Sequence, residues 1–156
     1  MRAVVQRVQN AAVTVGGKIT GSADTGLAIL VGVTHDDGPE EVKYLRDKIV
    51  NLRIFHGDED DIGFERSALD VEADILLVSQ FTLYASTRKG RRPGFTEAAP
   101  APISEPLFDQ VVRAFKETGL RVETGVFGAT MLVEIANDGP ATFVLDTADR
   151  HAPRRG

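Results

Sequence analysis

The order of β-prone and amphipathic segments constrains the fold of this chain more than any other feature. Residues 2–15 are rich in Val, Ala and Gln, and Gly16-Gly17 separate them from a second β-prone segment at residues 18–22. Gly-Gly between two such segments is typical of a hairpin, because the central positions of tight hairpin turns often need positive φ. Residues 26–33 are continuously apolar, as in a strand buried on both faces. The chain is therefore predicted to begin with three strands.

Two amphipathic segments predict helices. The first begins near Asp37-Gly38-Pro39, where Asp37 or Gly38 can cap a helix and Pro39 suits its first turn. Its apolar positions follow the spacing of one helix face: Val42, Leu45, Ile49 and Leu52. The second helix is predicted over residues 104–118, with Pro106 in its first turn and Gly119 at its end.

The remaining strands complete an irregular order. They are predicted at residues 76–83, 121–123, 130–136 and 141–145. The order β-β-β-α-β-α-β-β-β is not a regular alternation of strands and helices, so a Rossmann-like sheet is not expected. It predicts an α+β fold, a single domain of mixed or antiparallel β-sheets with two main helices. A length of 156 residues suits one domain. We place this domain at residues 1–148, followed by a flexible tail at residues 149–156.

Composition excludes several classes of function. The chain has no cysteine, which excludes disulfides, thiolate catalysis and cysteine-based metal centres. No apolar segment approaches the roughly 20 residues that span a bilayer, and the N-terminal segment lacks the apolar stretch of a signal peptide. We therefore expect a cytoplasmic protein without a membrane partner. The net charge of −5 argues against broad wrapping of nucleic acid, and no DNA partner is expected. A local basic patch could still hold the end of an RNA.

The common catalytic motifs are absent as well. The three histidines, His35, His56 and His151, are not at metal-ligand spacing. The acidic segment at residues 58–61 is interpreted as a solvated turn, because Ile62 and Leu69 occupy ligand positions of a calcium loop. The chain has no G-x-S-x-G elbow and no phosphate-binding P-loop. No metal and no cofactor are expected, and any catalysis is restricted to an easy reaction.

Two segments are unusual and are candidates for a functional site. Residues 79–85, S-Q-F-T-L-Y-A, end an apolar strand, and alternation would put Gln80 and Thr82 on one face and Ser79 and Phe81 on the other. These polar groups either bind neighbouring backbone at a strand end or line a site. Residues 137–142, N-D-G-P-A-T, are typical of a turn between strands. A Gly-Pro bond can also be cis at modest cost, and a fixed cis bond usually marks a constrained site.

A basic segment follows the first of these. Arg88, Lys89, Arg91 and Arg92 are four cations in six residues of an acidic protein. They form either a solvated loop or a phosphate contact, for which arginine has a well-shaped guanidinium.

Taken together, these segments resemble the D-aminoacyl-tRNA deacylase family. The matching segments, in family order, are M-R-A-V-V-Q-R-V at residues 1–8, S-Q-F-T-L-Y-A at 79–85, T-G-V-F-G-A at 124–129 with Met131, and N-D-G-P-A-T at 137–142. The pair S-Q-F-T-L-Y and N-x-G-P-x-T at this separation is highly specific, and the resemblance extends from Met1 to about Asp146. The family often has Lys-Met-Asn-x-Ser where this chain has F-E-R-S-A at residues 64–68.

The resemblance implies an activity and an assembly. The activity is hydrolysis of the ester between a D-amino acid and the 3′ adenosine of tRNA, a chiral proofreading step in translation that also accepts glycine mischarged on tRNA-Ala. The assembly is a homodimer with its active sites at the interface. Gly139 and Pro140 of one subunit would form a cis dipeptide whose carbonyls exclude an L side chain from the other subunit's pocket, and Arg7 would hold this motif in place.

The resemblance also assigns the pocket. The strand bearing Ser79, Gln80, Phe81 and Thr82 would line the pocket that binds the ester. Phe127 and Met131 would lie near the terminal adenosine. An aminoacyl ester is already activated, so oriented water and backbone N–H groups can suffice for hydrolysis. Thr82 could attack, but no sequence-adjacent base activates it. We favour assistance by the substrate 2′-OH, with Thr82 and Gln80 orienting. Two alternatives remain, a noncatalytic RNA-binding dimer on this fold and an editing relative with relaxed chirality.

Overall fold

The computed structural model describes residues 1–57 and 63–153. The acidic segment at residues 58–61 and the last part of the predicted tail, residues 154–156, lie outside the described residues. The strands are β1 Arg2–Val15, β2 Lys18–Ala23, β3 Gly26–Gly32, β4 Asp74–Ser79, β5 Val122–Thr124 and β6 Leu132–Asp146. The helices are α1 Pro39–Asn51 and α2 Ala101–Lys116, with short 3-10 turns at Phe81–Tyr84 and Thr147–His151.

The strands form one mixed sheet centred on β1. Within residues 1–57 and 63–153, this sheet has six strands. β6 runs antiparallel along one edge of β1, while β3 and β2 follow each other along the other edge. β4 lies parallel to β3 and β5 lies parallel to β4. The predicted α+β fold with a mixed sheet and two helices is confirmed.

Both faces of the central strands are buried. Ile29 and Leu77 belong to the main core, which lies between the sheet and the two helices and includes Leu45 of α1 and Phe115 of α2. Neighbouring residues on the same strands, such as Leu76, face a second and smaller apolar cluster on the other side of the sheet. This two-sided burial explains the continuous apolar pattern of β3 and β4.

β4 ends at Ser79, so the prediction of a strand to residue 83 is wrong. Gln80 N still donates to Val31 O at 2.8 Å, but Leu83 N then donates to Gln80 O at 3.3 Å and the chain turns. Gly32 permits this turn, because a Cβ there would lie 3.0 Å from Leu83 Cβ and 2.9 Å from Gln80 O. Strand alternation therefore does not apply after Ser79, although the side chains of Gln80 and Thr82 are in contact across the turn.

α2 begins at Ala101 instead of residue 104, so its predicted start is wrong by about one turn. The carbonyl of Pro100 accepts from the N–H groups of Ile103 and Ser104, both at 2.9 Å, so the helix begins directly after Pro100. Pro106 consequently lies inside the helix and not in its first turn.

β6 is one continuous strand, so the prediction of two separate strands at residues 130–136 and 141–145 is wrong. Its residues on both sides of the Gly-Pro motif pair with β1, at Gln6–Thr142 and Val8–Asn137. Residues 138–141 thus face the single residue Arg7 and leave the ladder as a bulge. We call residues 138–141 the β6 excursion.

The chain after β6 packs on α1. Arg150 Nη2 lies 2.7 Å from Glu41 Oε1 and 3.2 Å from Glu40 Oε2. The domain boundary at residue 148 and the flexible tail stay predictions. No helix among the described residues is long and apolar enough to cross a membrane.

Candidate active site

A cavity of about 650 Å³ opens where β3 and β4 end. The carboxyl ends of neighbouring parallel strands meet at one edge of a sheet, and ligands of such sheets commonly bind there. Val31 and Val33 line the cavity from β3 and the residues after it, and Ser79 and Gln80 line it from the end of β4 and the residue that follows. Two further walls come from residues 95–108, at the start of α2, and residues 127–133, before and within β6.

The polar edge of this cavity is the end of β4. Ser79 and Gln80 are half-buried in its lining, and Phe81 lines it while remaining exposed. Thr82, the next residue, is exposed. Gln80 Nε2 donates to Thr82 Oγ1 at 2.5 Å. Because an amide N–H₂ only donates, this partner cannot take the hydroxyl proton of Thr82. Gln80 therefore orients the Thr82 hydroxyl but does not act as its general base.

The apolar wall is formed by the two residues assigned to the adenosine. Phe127 and Met131 both line the cavity. Phe127 packs against Phe108 of α2, with the ring centroids 6.2 Å apart. Five of the residues predicted to line the site thus surround one cavity: Ser79, Gln80, Phe81, Phe127 and Met131. Thr82 is not among the lining residues.

The turn that carries Thr82 is held from below by Arg2. Arg2 Nη1 donates to Leu83 O at 3.2 Å, Nε donates to Asp146 Oδ2 at 2.8 Å, and the guanidinium carbon lies 4.5 Å from the centre of the Tyr84 ring. Burial opposes ionisation of Asp146, but the hydrogen bonds from Arg2 and from Ala148 N, together with the positive charges of Arg2 and the N-terminus, outweigh it and lower the pKa of Asp146. Burial also raises the pKa of Tyr84 well above its ordinary value, so this residue is neutral.

Arg7, Gly139 and Pro140 lie together, but away from the cavity lining of the same chain. The Gly139-Pro140 peptide is cis, as predicted. Arg7 is only 2% exposed; its Nη1 donates to Ile54 O at 2.6 Å and its Nε pairs with Asp138 Oδ2 at 3.1 Å. A Cβ on Gly139, whose φ is +118°, would lie 2.7 Å from Arg7 Nη2. Arg7 therefore packs directly against the excursion, and the positive φ at position 139 favours glycine because a side chain there would be strained.

The side chain of Asn137 ties the two ends of the excursion together. Its Oδ1 accepts from Ala141 N at 2.9 Å, and its Nδ2 donates to Thr142 Oγ1 at 3.0 Å. Both ends of the excursion are therefore held by one side chain, from the residue immediately before it.

Phe64 covers the same network from the outside. Its ring lies 5.8 Å from the guanidinium carbon of Arg7 and edge-on to Phe143, with ring centroids 5.8 Å apart. Phe64 belongs to residues 64–68, the segment in which the chain departs from the family pattern. Its ring shields the Arg7 guanidinium.

The four cations lie on an exposed loop beside the cavity. Ser86 and Gly94 close residues 87–93, the basic loop, through two backbone hydrogen bonds of 2.8 and 2.9 Å. Arg88, Lys89, Arg91 and Arg92 are all exposed on it. Phe95, directly after Gly94, lines the cavity.

Known proteins resemble this chain over most of its length. Residues 4–146 match the sequence model of the family described as D-Tyr-tRNA(Tyr) deacylase. A D-aminoacyl-tRNA deacylase of Kineococcus radiotolerans is 56% identical over 147 residues, covering 94% of this chain and 99% of the relative. A D-aminoacyl-tRNA deacylase of Thermus aquaticus is 47% identical over 154 residues, covering 99% of this chain and 100% of the relative. The chain belongs to the D-Tyr-tRNA(Tyr) deacylase family.

Solved structures agree on the fold of this deacylase-family chain. The structure of the c-Myc DNA Unwinding Element Binding Protein superposes with a TM-score of 0.87 at 38% identity, covering 94% of this chain and 98% of that one. A structure described as that of a probable eukaryotic D-amino acid tRNA deacylase gives a TM-score of 0.79 at 19% identity, covering 92% of this chain and 98% of that one. The second supports the fold alone. The resemblance drawn from the sequence motifs is confirmed.

Sequence reasoning missed three residues around this deacylase-family site. Asn137 lay inside the N-x-G-P-x-T motif, but its local signal is that of an ordinary turn former. Phe64 lay in the segment that departs from the family, and Phe95 followed a basic loop without any periodic pattern. A search for large apolar residues next to glycine and charge clusters would have flagged Phe64 and Phe95.

Proposed function

We propose that this chain hydrolyses the ester between a D-amino acid and the 3′ adenosine of tRNA, and so acts in chiral proofreading during translation. Its family membership and the names of its relatives support this activity. The observation that carries the proposal is the cavity itself, which has an apolar wall at Phe127 and Met131 and a polar edge at Ser79 and Gln80. A nucleoside base fits the first, and the ester that follows it fits the second.

The chemistry needs orientation more than activation. Phe81 and Thr82 begin a 3-10 turn, and the first N–H groups of such a turn have no acceptor within it. These backbone donors can stabilise the oxyanion that develops on the ester carbonyl. Water, assisted by the vicinal 2′-OH of the ribose, attacks, while Gln80 and Thr82 orient the ester. The leaving group is the ribose 3′ oxygen, which takes up a proton as the free amino acid is released.

The chirality filter requires a second copy of the chain. Gly139 and Pro140 do not line the cavity of their own chain, so they can act on substrate only from a partner subunit. β6, which carries them, lies at the edge of the described sheet, and its Val144 side chain is 75% exposed. We therefore propose a homodimer in which the β6 excursion of one subunit faces the cavity of the other. Sedimentation velocity should show a species of twice 16.8 kDa, and a monomer at micromolar concentration would contradict the arrangement.

Fixed backbone atoms discriminate configuration and not side-chain identity. Several D-amino acids should therefore be accepted, and glycine mischarged on tRNA-Ala should pass as well. The basic loop would contact phosphates of the acceptor end, because its four cations are exposed next to the cavity mouth. Such a substrate locates the reaction in the cytoplasm, where translation takes place.

The activity is tested by release of D-tyrosine from D-tyrosyl-tRNA by the purified protein. The expected result is an acceleration over buffer that is retained by Lys116→Ala, which removes a cation at the distant end of α2. A folded protein that binds the tRNA without accelerating release would instead identify a noncatalytic RNA-binding dimer.

A further inference from the structure

Two exposed aromatic rings stand at the mouth of the cavity. Phe81 is 56% exposed and Phe95 is 38% exposed, and both also line the cavity. Their ring centroids lie 5.0 Å apart with the planes at 65°, so they pack edge to face. We call Phe81 and Phe95 the aromatic pair. In this arrangement the two rings support each other while leaving ring surface open to a ligand.

Both members of the pair are held in place by the backbone around them. Phe81 opens the 3-10 turn that follows β4. Phe95 follows the Ser86–Gly94 hydrogen-bonded bridge. The chain after Phe95 is fixed again, where Thr96 O lies 2.8 Å from His35 Nε2. A ligand that meets these rings therefore meets a preorganised surface.

We propose that the aromatic pair binds an unpaired nucleobase, that of the nucleotide preceding the terminal adenosine of the tRNA. This inference rests on the proposed function, which puts the terminal nucleoside inside the cavity. The preceding base then lies at the mouth, where Phe81 and Phe95 stand, and its backbone continues toward the basic loop. Aromatic side chains next to a cationic surface are how proteins bind single-stranded nucleic acid without reading its sequence.

The charge next to the pair favours RNA over the other possible occupants. The basic loop joins directly onto Phe95 and exposes Arg88, Lys89, Arg91 and Arg92. A second subunit of this chain, which carries a net charge of −5, would have to place a matching acidic surface on all four. The phosphates of a single-stranded RNA end supply that negative charge on either side of a base.

The test is a binding cycle between protein and RNA. Two RNA minihelices are compared, both with the single-stranded acceptor end and without an attached amino acid. One is intact, and the other lacks the base of the nucleotide before the terminal adenosine. Each is titrated by fluorescence anisotropy against the wild type, Phe95→Ala and Phe95→Tyr. Ile19→Ala, which removes an exposed apolar side chain on β2, is the matched control.

The expected result is a loss that depends on the base. Phe95→Ala should weaken binding of the intact RNA about tenfold, within the range for one base stacked on one aromatic side chain. It should leave binding of the abasic RNA unchanged, and Phe95→Tyr should bind the intact RNA as the wild type does. An equal loss for both RNAs, or no loss, overturns the inference.

Two further outcomes would assign the pair to another occupant and equally overturn the inference. One is dissociation of the oligomer by Phe95→Ala in sedimentation. The other is a loss of deacylation confined to D-amino acids with large side chains. Because the binding cycle uses RNA without an attached amino acid, it tests this inference separately from the proposed activity. If the protein deacylates but Phe95→Ala shows no base-dependent loss of binding, only the proposed aromatic site is refuted. If the base-dependent loss is seen without deacylation, only the proposed activity is refuted.

Discussion

Asn137→Ala should release the β6 excursion from the sheet. The Asn137 side chain supplies the acceptor for Ala141 N and a donor to Thr142 Oγ1, at 2.9 and 3.0 Å. Ala141 is buried, so its N–H would lose its partner where water cannot readily replace it. The excursion would then be held mainly by the ion pair between Arg7 and Asp138.

The size of the effect follows from these two contacts. Leaving a buried N–H without an acceptor costs about 1–3 kcal/mol, and losing a typical hydrogen bond costs about 0.5–1.5 kcal/mol. We expect Asn137→Ala to lower the free energy of unfolding by about 2–3 kcal/mol, a large part of the roughly 5–15 kcal/mol that stabilises an ordinary domain. Asn137→Asp keeps the acceptor and loses only the donor, so it should cost about 1 kcal/mol or less.

Urea denaturation measures the loss of stability. The ratio of D- to L-tyrosyl-tRNA hydrolysis measures the effect on chiral selection. Asn137→Ala should reduce this ratio, because the excursion no longer presents fixed carbonyls. Gln6→Ala is the matched control, since Gln6 Nε2 also donates to Thr142 Oγ1, at 3.2 Å, but does not bridge the excursion. If the two variants unfold at the same urea concentration and keep the same D-over-L ratio, the reasoning is refuted.

Three other variants test separate parts of the site. Thr82→Ala should retain measurable deacylation because Thr82 orients the ester without attacking it, and a loss as deep as that of a missing nucleophile in single-turnover assays would restore that role. Replacing Arg91 and Arg92 by Ala should weaken tRNA binding, flatten its salt dependence and spare the D-over-L ratio, whereas unchanged affinity and salt slope would show a merely solvated loop. Asp146→Asn should lower stability at pH 7 and make the remaining stability less sensitive to acid. Against the effect of burial, the hydrogen bonds from Arg2 and Ala148 N and the nearby positive charges hold the pKa of Asp146 below its ordinary value of 3.8. Its contribution to stability is therefore present above that value and lost as the pH falls through the lowered pKa. Equal acid denaturation profiles of the two proteins would contradict this.

Local patterns were sufficient for most of the elements. β3 and α1 were predicted because a continuous apolar segment and a helical spacing such as Leu45 to Ile49 are properties of consecutive residues. The turn after β4 was not, because it depends on Gly32, a residue far away in the chain whose missing side chain makes room for Leu83. Helix α2 begins before its predicted start at residue 104, because its first turn is set by the Pro100 carbonyl and not by the apolar face on which the prediction relied.

The candidate site divides in the same way. Gln80, Phe127 and Met131 were found through motifs that belong to a family, and the structure gathers them at one cavity. The single strand of β6 was missed because only its pairing with β1, on both sides of Arg7, distinguishes an excursion from a hairpin turn. The shielding of Arg7 by Phe64 joins residues from distant segments and leaves no local pattern.

The most direct test of the account is hydrolysis of matched D-tyrosyl-, L-tyrosyl- and glycyl-tRNA by the purified protein. A filter made of fixed backbone atoms at Gly139 and Pro140 should release D-tyrosine and glycine and leave L-tyrosine attached. The steric rejection should exceed the roughly 1–3 kcal/mol that a size-selective apolar pocket achieves per methylene, which corresponds to a preference above about 200-fold. Release of L-tyrosine at a rate similar to that of D-tyrosine would contradict the chirality filter, and with it the central claim about this site.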